Sequence, residues 1–329
     1  MLTTTHLLFD TVVEHPIVLN EHKGSAIRGA FFHALRGRAG NLAWRGFCAN
    51  QSAADCRDCP LLQVCPVARL LATHDPSGAR GHEIPRPVTV RPPIDEAMDY
   101  LPGDKFSFGL TIVGDAVALL PYVIMAVQQG MRVEGLGKRD RLNDFRPGSF
   151  RLIGVEAAHP LRGETKVLWR EGERLVQVPG LAVTHEEVLA HAATLPVDRL
   201  TLRLQTPLRL IDEKKLVRSF RFRPFFQRLM ERVMQLSSHF GVEGLLTEEQ
   251  ERHALLAAAD DIAVIDKTKW VELRSYSTRQ RGETPLSGLV GEVTLVGKLD
   301  MFRAWLLWGS LIHVGKDAVK GDGWYDILS

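Results

Sequence analysis

The sequence has no long uninterrupted apolar run. Nowhere in its 329 residues does such a run reach the length needed to cross a bilayer, and residues 1–20 lack both a basic leader and a cleavage site. The expectation is a cytoplasmic protein with no membrane partner. Net charge is nearly absent, at +2, so bulk charge does not argue for nucleic acid. Cysteine is scarce, with four residues, and without a secretion signal a disulfide framework is not expected. No GxxxxGK[ST] stretch follows a strand and opens a helix, which excludes a P-loop nucleotide site.

What is present is ordinary in bulk and uneven in detail. Hydrophobic residues at 45% and charged residues at 24% describe a globular chain long enough for two cores. The cysteines fall in one short window, Cys48, Cys56, Cys59 and Cys65, among small and polar residues. Thiols clustered in this way read as metal ligands. A structural Zn²⁺ on all four would staple an insertion, at about residues 40–75, too polar to fold on its own core, and the irregular spacing leaves an iron–sulfur cluster open. Free buried thiols or disulfides are the bland alternative. Basic residues also cluster. Lys214 to Arg232 holds seven against the single acid Glu231, and Lys23 to Arg45 contains no Asp or Glu. Either cluster is a solvated helix face or a phosphate-binding surface.

The element pattern repeats. Strand-like residues 7–19, bent near Pro16, lead to a helix from Gly24 to Arg38 with the apolar stripe Ile27, Ala30, Phe31, Ala34 and Leu35. Strands follow at 88–91 and 105–113, then a helix over 116–129 that is apolar nearly all round, and a strand at 149–157. A hairpin, 167–169 with 175–178, and a short helix from His185 connect to a second pass. That pass reads strand 200–210, helix 222–240, an extra helix 248–261, strands 270–277 and 289–296, helix 301–312 and strand 324–328. Each pass is β-α-β-β-α-β, so the expected fold is α+β, two tandem ferredoxin-like domains with the cysteine insertion in the first. Their expected bounds are 1–160 and 199–329, joined by 161–198. Each last helix runs into a Gly-Lys loop, Gly135-Leu136-Gly137-Lys138 and Gly315-Lys316 through Gly321-Asp322-Gly323. Glycine lets backbone N–H groups approach an anion closely.

These stretches carry a family likeness, along with Ile27-Arg28-Gly29-Ala30-Phe31-Phe32-His33, Cys56-Arg57-Asp58-Cys59-Pro60-Leu61, Thr206-Pro207-Leu208-Arg209-Leu210 and Tyr276-Ser277-Thr278-Arg279. Together, in this order, the chain resembles the CRISPR precursor-RNA-processing endoribonucleases of the RAMP superfamily, in the branch with an N-terminal cysteine cluster. The resemblance implies binding of CRISPR repeat RNA and cleavage of the precursor transcript without a metal, with CRISPR effector subunits as further partners. It departs from the family at Asp322, which stands where an apolar residue is usual between the last glycines, and at Phe31 and Phe32, where some members carry a tyrosine.

Metal-free RNA cleavage needs a base for the 2′-OH, an acid for the 5′-oxygen and cations for the phosphorane, and it leaves a 2′,3′-cyclic phosphate and a 5′-OH. Histidine suits the proton transfers. At 100° per residue His33 falls about 120° off the core stripe, beside Ala26 and Gly29, with Arg36 on the same face and His22 and Lys23 just before the helix. His33 with Lys23 or Arg36 is therefore the first catalytic candidate. His313 falls on the core stripe if its helix runs on, and is then structural. If that helix stops at Gly309, His313 and Lys316 form a second pair. Candidate phosphate contacts are Arg139, Arg141, Arg218, Arg221, Arg223, Arg228, Arg232 and Lys320, with Tyr276 and Arg279 placed to meet an unpaired base. Two other readings stay open. One is a RAMP subunit that holds guide RNA without cutting it. The other is a generic pair of RNA-binding domains, against which stands the lack of an aromatic pair on a central strand.

Overall fold

Pro16 has no N–H to give to a ladder, and the first strand, β1 (Thr3–His15), ends just before it. The chain resumes as the two-residue strand Ile17–Val18 and enters helix α1 (Lys23–Arg36). The computed structural model describes the whole chain except residues 38–40, 54–55, 75–83, 242–248, 278–281 and 329. It divides into two compact units, one of Thr5–His159 with Gly163–Ala182, the other of Met1–Thr4, Pro160–Arg162 and Val183–Ser329.

In the first unit α1 is followed by β2 (Val88–Arg91), β3 (Lys105–Val113), a continuous helix α2 (Gly114–Glu134), β4 (Ser149–His159) and β5 (Glu164–Arg170). The sheet order is β2-β3-β1-β4-β5, the split βαβ arrangement with one added edge strand. Ile27, Phe31, Ala34 and Leu35 of α1 are buried, as their spacing predicts, and the sheet contributes the packed rings of Phe9, Phe106, Phe108 and Phe150. Helix α2 is as long and apolar as a membrane span, yet it packs as a core helix whose Ala126, Val127, Gly130 and Met131 are buried. Residues 126–131 form a π-helical turn. A Cβ at Gly130 would lie only 2.7 Å from the Ala34 Cβ and 2.8 Å from the Trp44 indole nitrogen, so glycine sets how closely α2 approaches α1.

The second unit contains α3 (His185–Thr194), β6 (Arg199–Leu208), α4 (Phe222–Phe240), α5 (Glu249–Asp260), β7 (Ala263–Val271), β8 (Gly288–Val296), α6 (Arg303–Ile312) and β9 (Tyr325–Leu328). Its sheet order, β7-β8-β6-β9, repeats that of the first unit. Thr184 opens α3 with a capping box to Glu187. Phe222, Phe225, Phe226 and Phe302 interlock in the core, and the buried Tyr325 hydroxyl donates to the Leu306 carbonyl at 2.5 Å.

Two expected elements differ. The strand expected at 270–277 begins seven residues earlier as β7, paired with β8 from Ala263↔Val296 to Val271↔Gly288. Arg274–Ser277 instead forms a separate hairpin with Gly282–Pro285. The limb 175–178 is not a strand. β5 takes its ladder from β4, and the later residues follow β5 through isolated bonds, Gln177 N–H to the Leu168 carbonyl and Lys166 Nζ to the Val178 carbonyl, both at 2.8 Å.

Candidate functional site

The two Gly-Lys loops share one hydrogen-bond frame. In the first, Gly135 closes α2 at φ 80°, Leu136 and Gly148 exchange both backbone bonds, Gly137 sits at φ 91°, and Lys138 N–H donates to the Val18 carbonyl at 2.8 Å. In the second, His313 closes α6 at φ 63°, Val314 N–H donates to the Gly323 carbonyl at 3.1 Å, Gly315 sits at φ 90°, and Lys316 N–H donates to the Arg209 carbonyl at 2.9 Å. A Cβ on Gly137 would press into the Val18 carbonyl, and one on Gly315 would lie 2.7 Å from the Arg209 carbonyl oxygen. The internal repeat thus extends to single backbone bonds.

That frame corrects the expected role of the second loop. The N–H groups of Val314, Lys316, Lys320, Gly321, Gly323 and Trp324 all bond to protein oxygens, with Thr206 Oγ1 bridging the Gly321 carbonyl and Trp324 N–H. They do not form an anion cradle. Asp322 is fully buried, so its carboxylate does not front the solvent. Lys320 is paired with Asp317 at 2.8 Å. α6 runs past Gly309 to Ile312, and His313 is buried with its ring stacked on Trp324, centroids 5.9 Å apart and ring planes nearly parallel. Lys316 is exposed, but its intended partner His313 faces the interior.

At the start of α1, His22 is the N-cap, its Nδ1 accepting the Ser25 N–H at 3.1 Å. Lys23 is only 4% exposed. Its ammonium lies 2.7 Å from the Asp95 carboxylate and above the Tyr100 ring, and the Tyr100 hydroxyl donates to the same carboxylate at 2.8 Å. Partial burial would raise the Asp95 pKa, but the hydrogen bonds from Lys23 and Tyr100 win and hold it below the usual carboxylate value. Burial, then the bond to Asp95, pushes the Tyr100 phenol up. Lys23 is therefore a buried, neutralised cation and not one aimed at a phosphate, which corrects its expected placement. Asp95 and Tyr100 lie on the loop between β2 and β3, where no local pattern announced them.

The outer face of α1 is half-buried along Ala26, Gly29, Phe32, His33 and Arg36. Beside Gly29 a Cβ would meet no heavy atom within 4 Å, so the helix backbone is open to an approaching chain there. His33 lies one turn further on, its ring edge-on to Phe32 at 5.6 Å. Arg28, which the sequence reading did not single out, lays its guanidinium over Phe32 at 5.4 Å and donates to the Leu71 carbonyl. Arg36 reaches toward the cysteine segment, donating to the Ala53 carbonyl at 3.3 Å.

Cys48, Cys59 and Cys65 carry free thiols, and Cys65 N-caps the short helix Pro66–Leu71. Burial raises the Cys48 pKa. The neighbouring Cys65 and Cys59 add to the rise, while the Asn50 N–H and Arg36 oppose it. The thiols are thus neighbours, yet among the described residues no three His, Cys, Asp or Glu side chains converge closely enough to hold a metal ion. As placed, the set does not fit Zn²⁺.

The arginines of the 214–232 stretch are mostly paired. Arg221 meets Asp212 at 2.9 Å, Arg223 meets Asp260 at 3.2 Å and Arg228 meets Glu231 at 2.6 Å. Arg218 lies over the Trp270 ring, 3.8 Å from Glu272, and Arg232 caps α6 through the Ile312 carbonyl. They form no free cationic row, because the acids that answer them come from α4, α5 and loops distant in sequence. Arg279 lies outside the described residues, and Tyr276 is placed only as a strand residue opposite Glu283. Arg139 and Arg141 are exposed on the first Gly-Lys loop.

Comparison with known proteins adds the following. A family model described as a CRISPR-associated endoribonuclease, Cas6, matches residues 202–325, and one described as an N-terminal domain matches residues 2–181. Among solved structures, Thermus thermophilus Cas6 is 18% identical with a TM-score of 0.53, covering 100% of this chain and 99% of its own. A Cas6 product complex is 15% identical at 0.51, covering 99% and 100%. A partial Cas6-RT-Cas1–Cas2 complex is 13% identical at 0.58, covering 100% of this chain and 46% of that one. At these identities the structures speak for the fold alone. No curated protein matches the sequence.

Proposed function

We propose, because residues 202–325 match the family model of the CRISPR-associated endoribonuclease Cas6, that this chain is an enzyme of that kind and matures CRISPR RNA by metal-independent cleavage at a site on the outer face of α1. The substrate is a CRISPR repeat within a precursor transcript. His33 takes the 2′-OH proton or supplies one to the departing 5′-oxygen, and the products carry a 2′,3′-cyclic phosphate and a 5′-OH. Arg36 stabilises the phosphorane, since Lys23 is committed to Asp95. The observation that carries this reading is the pairing of a half-exposed His33 with the open backbone beside Gly29, where a ribose–phosphate chain can lie against the helix.

The test is incubation of purified protein with its neighbouring repeat RNA in EDTA, followed by analysis of the product ends. Cleavage to cyclic-phosphate ends supports the reading. A protein that binds the repeat and never cuts it is instead an RNA-holding subunit of an effector complex.

A structural ion on Cys48, Cys56, Cys59 and Cys65 is a separate proposal. It is supported by the clustering of the four cysteines in one short window, with Cys59 and Cys65 close enough to Cys48 to help raise its pKa, and requires them to draw together from their placement here. No step of the cleavage passes through it.

A further inference from the structure

The first Gly-Lys loop carries a side chain that neither its fold nor the proposed chemistry uses. Phe145 is 61% exposed and sits at φ 58°, directly after Asp144 at φ 52°. Two successive non-glycine residues in the left-handed region are unusual, and a bulky aromatic there is a genuine outlier. The loop is nonetheless well braced. Asp140 and Asn143 form a reciprocal capping box around the turn Arg141–Asn143, and the buried Asn143 side chain donates to the Lys138 carbonyl at 2.7 Å. Phe145 N–H donates to the Asp140 carbonyl at 2.7 Å, Arg146 N–H to the Asn143 carbonyl at 3.0 Å, and His15 Nε2 lies 3.0 Å from that same carbonyl. The backbone is therefore fixed in a conformation that holds the ring in solvent.

The same loop carries Lys138, Arg139, Arg141 and Arg146, all exposed, and among the described residues none of these four side chains is ion-paired. Two carboxylates accompany them. Asp140 is engaged by the Leu142 N–H and Asp144 is exposed. The contrast with the 214–232 arginines is direct, since those are answered by acids and these are not. The bond from Lys138 to the Val18 carbonyl ties the loop to the segment that enters α1 at Lys23. The loop and the His33 face thus belong to one unit.

An exposed ring on a loop of unanswered cations matches the chemistry of a single-stranded nucleic acid, with a π-face for a base and charge for the phosphates on either side. A protein partner would call for a wider apolar patch, and on this loop, among the described residues, Leu142 is the one other exposed large apolar side chain. We propose that Phe145 is a base-stacking platform for an unpaired nucleotide of the bound RNA, with Arg139, Arg141 and Arg146 gripping the flanking phosphates. This rests on the reading of the chain as a repeat-RNA endoribonuclease and adds the residue that holds a single-stranded segment.

The experiment uses the full chain and the neighbouring repeat RNA made with 2′-O-methyl riboses, which cannot be cut by 2′-OH attack wherever the site lies. 2-Aminopurine is placed at successive positions in separate RNAs. Wild-type protein should quench one or two adjacent unpaired positions, and Phe145→Asn should lose that quench. Asparagine accepts the left-handed backbone, so this variant keeps the loop, as circular dichroism and melting will verify. Its affinity should fall by about 5- to 150-fold, the range for removing one stacked base, while Phe145→Trp retains it. Each of Arg139→Ala, Arg141→Ala and Arg146→Ala should lower the slope of log K against log salt by about 0.7. Folded Phe145→Asn that binds within twofold of wild type, or a quench that persists in it, overturns the proposal while leaving the enzyme reading intact. Wild-type protein that neither binds nor cuts the unmodified repeat overturns both.

Discussion

Replacing Gly29 by alanine separates two roles that a glycine in a helix can play. Gly29 lies inside α1 at an ordinary helical φ, so its backbone does not require glycine. An added Cβ would meet nothing within 4 Å, so the change brings neither a clash nor new packing. What remains is helix propensity, worth about 0.5–1 kcal/mol in favour of alanine. Spread over a unit of this size, that is a rise of about 1–4 °C in the melting temperature of the first unit. Against RNA the same methyl stands where a ribose–phosphate backbone would come against the helix, and a displacement near 1 Å at a reacting centre costs on the order of 10²-fold in rate. Gly29→Ala should therefore melt higher and cleave the repeat more slowly. Calorimetry and single-turnover cleavage on one preparation read both effects. A variant that is more stable and cleaves at the wild-type rate refutes the approach of substrate along this face. A variant that is less stable refutes the description of the face as open.

The remaining expectations are shorter. His33→Ala should slow cleavage in EDTA by about 10²–10⁴-fold with repeat binding nearly intact, as single-turnover rates and filter binding will show. His313→Ala should instead lose about 1–3 kcal/mol of stability in denaturant melts, since its ring stacks on Trp324 in the core. If Cys48, Cys56, Cys59 and Cys65 draw together from their placement here, elemental analysis finds one metal ion per chain that Cys59→Ser releases, and a stoichiometrically metal-free wild type refutes the structural ion. His6, buried on β1 with Thr111 Oγ1 3.0 Å from its Nδ1, has its pKa lowered to about 3 by burial and then by Arg91 and His159. The unfolded chain takes up that proton near pH 6.5 and the folded one only near 3, so the first unit should lose stability as pH falls between those values and hold it above them. His6→Gln should flatten that dependence, and an unchanged pH profile of melting refutes it.

The first sheet, three of the four strands of the second and four of the long helices were legible in the sequence, mostly through local periodicity, whereas β7 was not. The α1 stripe at Ile27, Phe31 and Ala34 and the α4 stripe of phenylalanines bury the residues their spacing selects. The site was legible only as far as direction along a helix goes. The wheel placed His33 off the core and left His313 conditional on where α6 stops. The fate of Lys23 was hidden, because Asp95 reaches it across 72 residues of chain. Charge counting along 214–232 misled for the same reason, since Asp212 and Asp260 lie outside the window counted. Phe145 went unremarked because an exposed aromatic in a polar loop has no period to betray it.

The repeated hydrogen-bond frame of the two Gly-Lys loops leaves unequal lengths to fill. Six residues lie between Lys316 and Gly323, and nine between Lys138 and Gly148. Because the frame closes at both ends in either copy, added chain is charged only the slow logarithmic cost of a longer loop, a small fraction of 1 kcal/mol here. A duplicated fold of this kind works as a socket with interchangeable inserts. One copy holds a short plug whose bonded amides tie it to Thr206, Pro207 and Arg209 and to itself, and the other can lengthen, change sequence and experiment at the surface without disturbing the sheet beneath. Transplanting residues 139–147 between Lys316 and Gly323 should accordingly yield a folded protein with a second cationic, aromatic-tipped loop, which makes the second unit a ready scaffold for engineering RNA affinity.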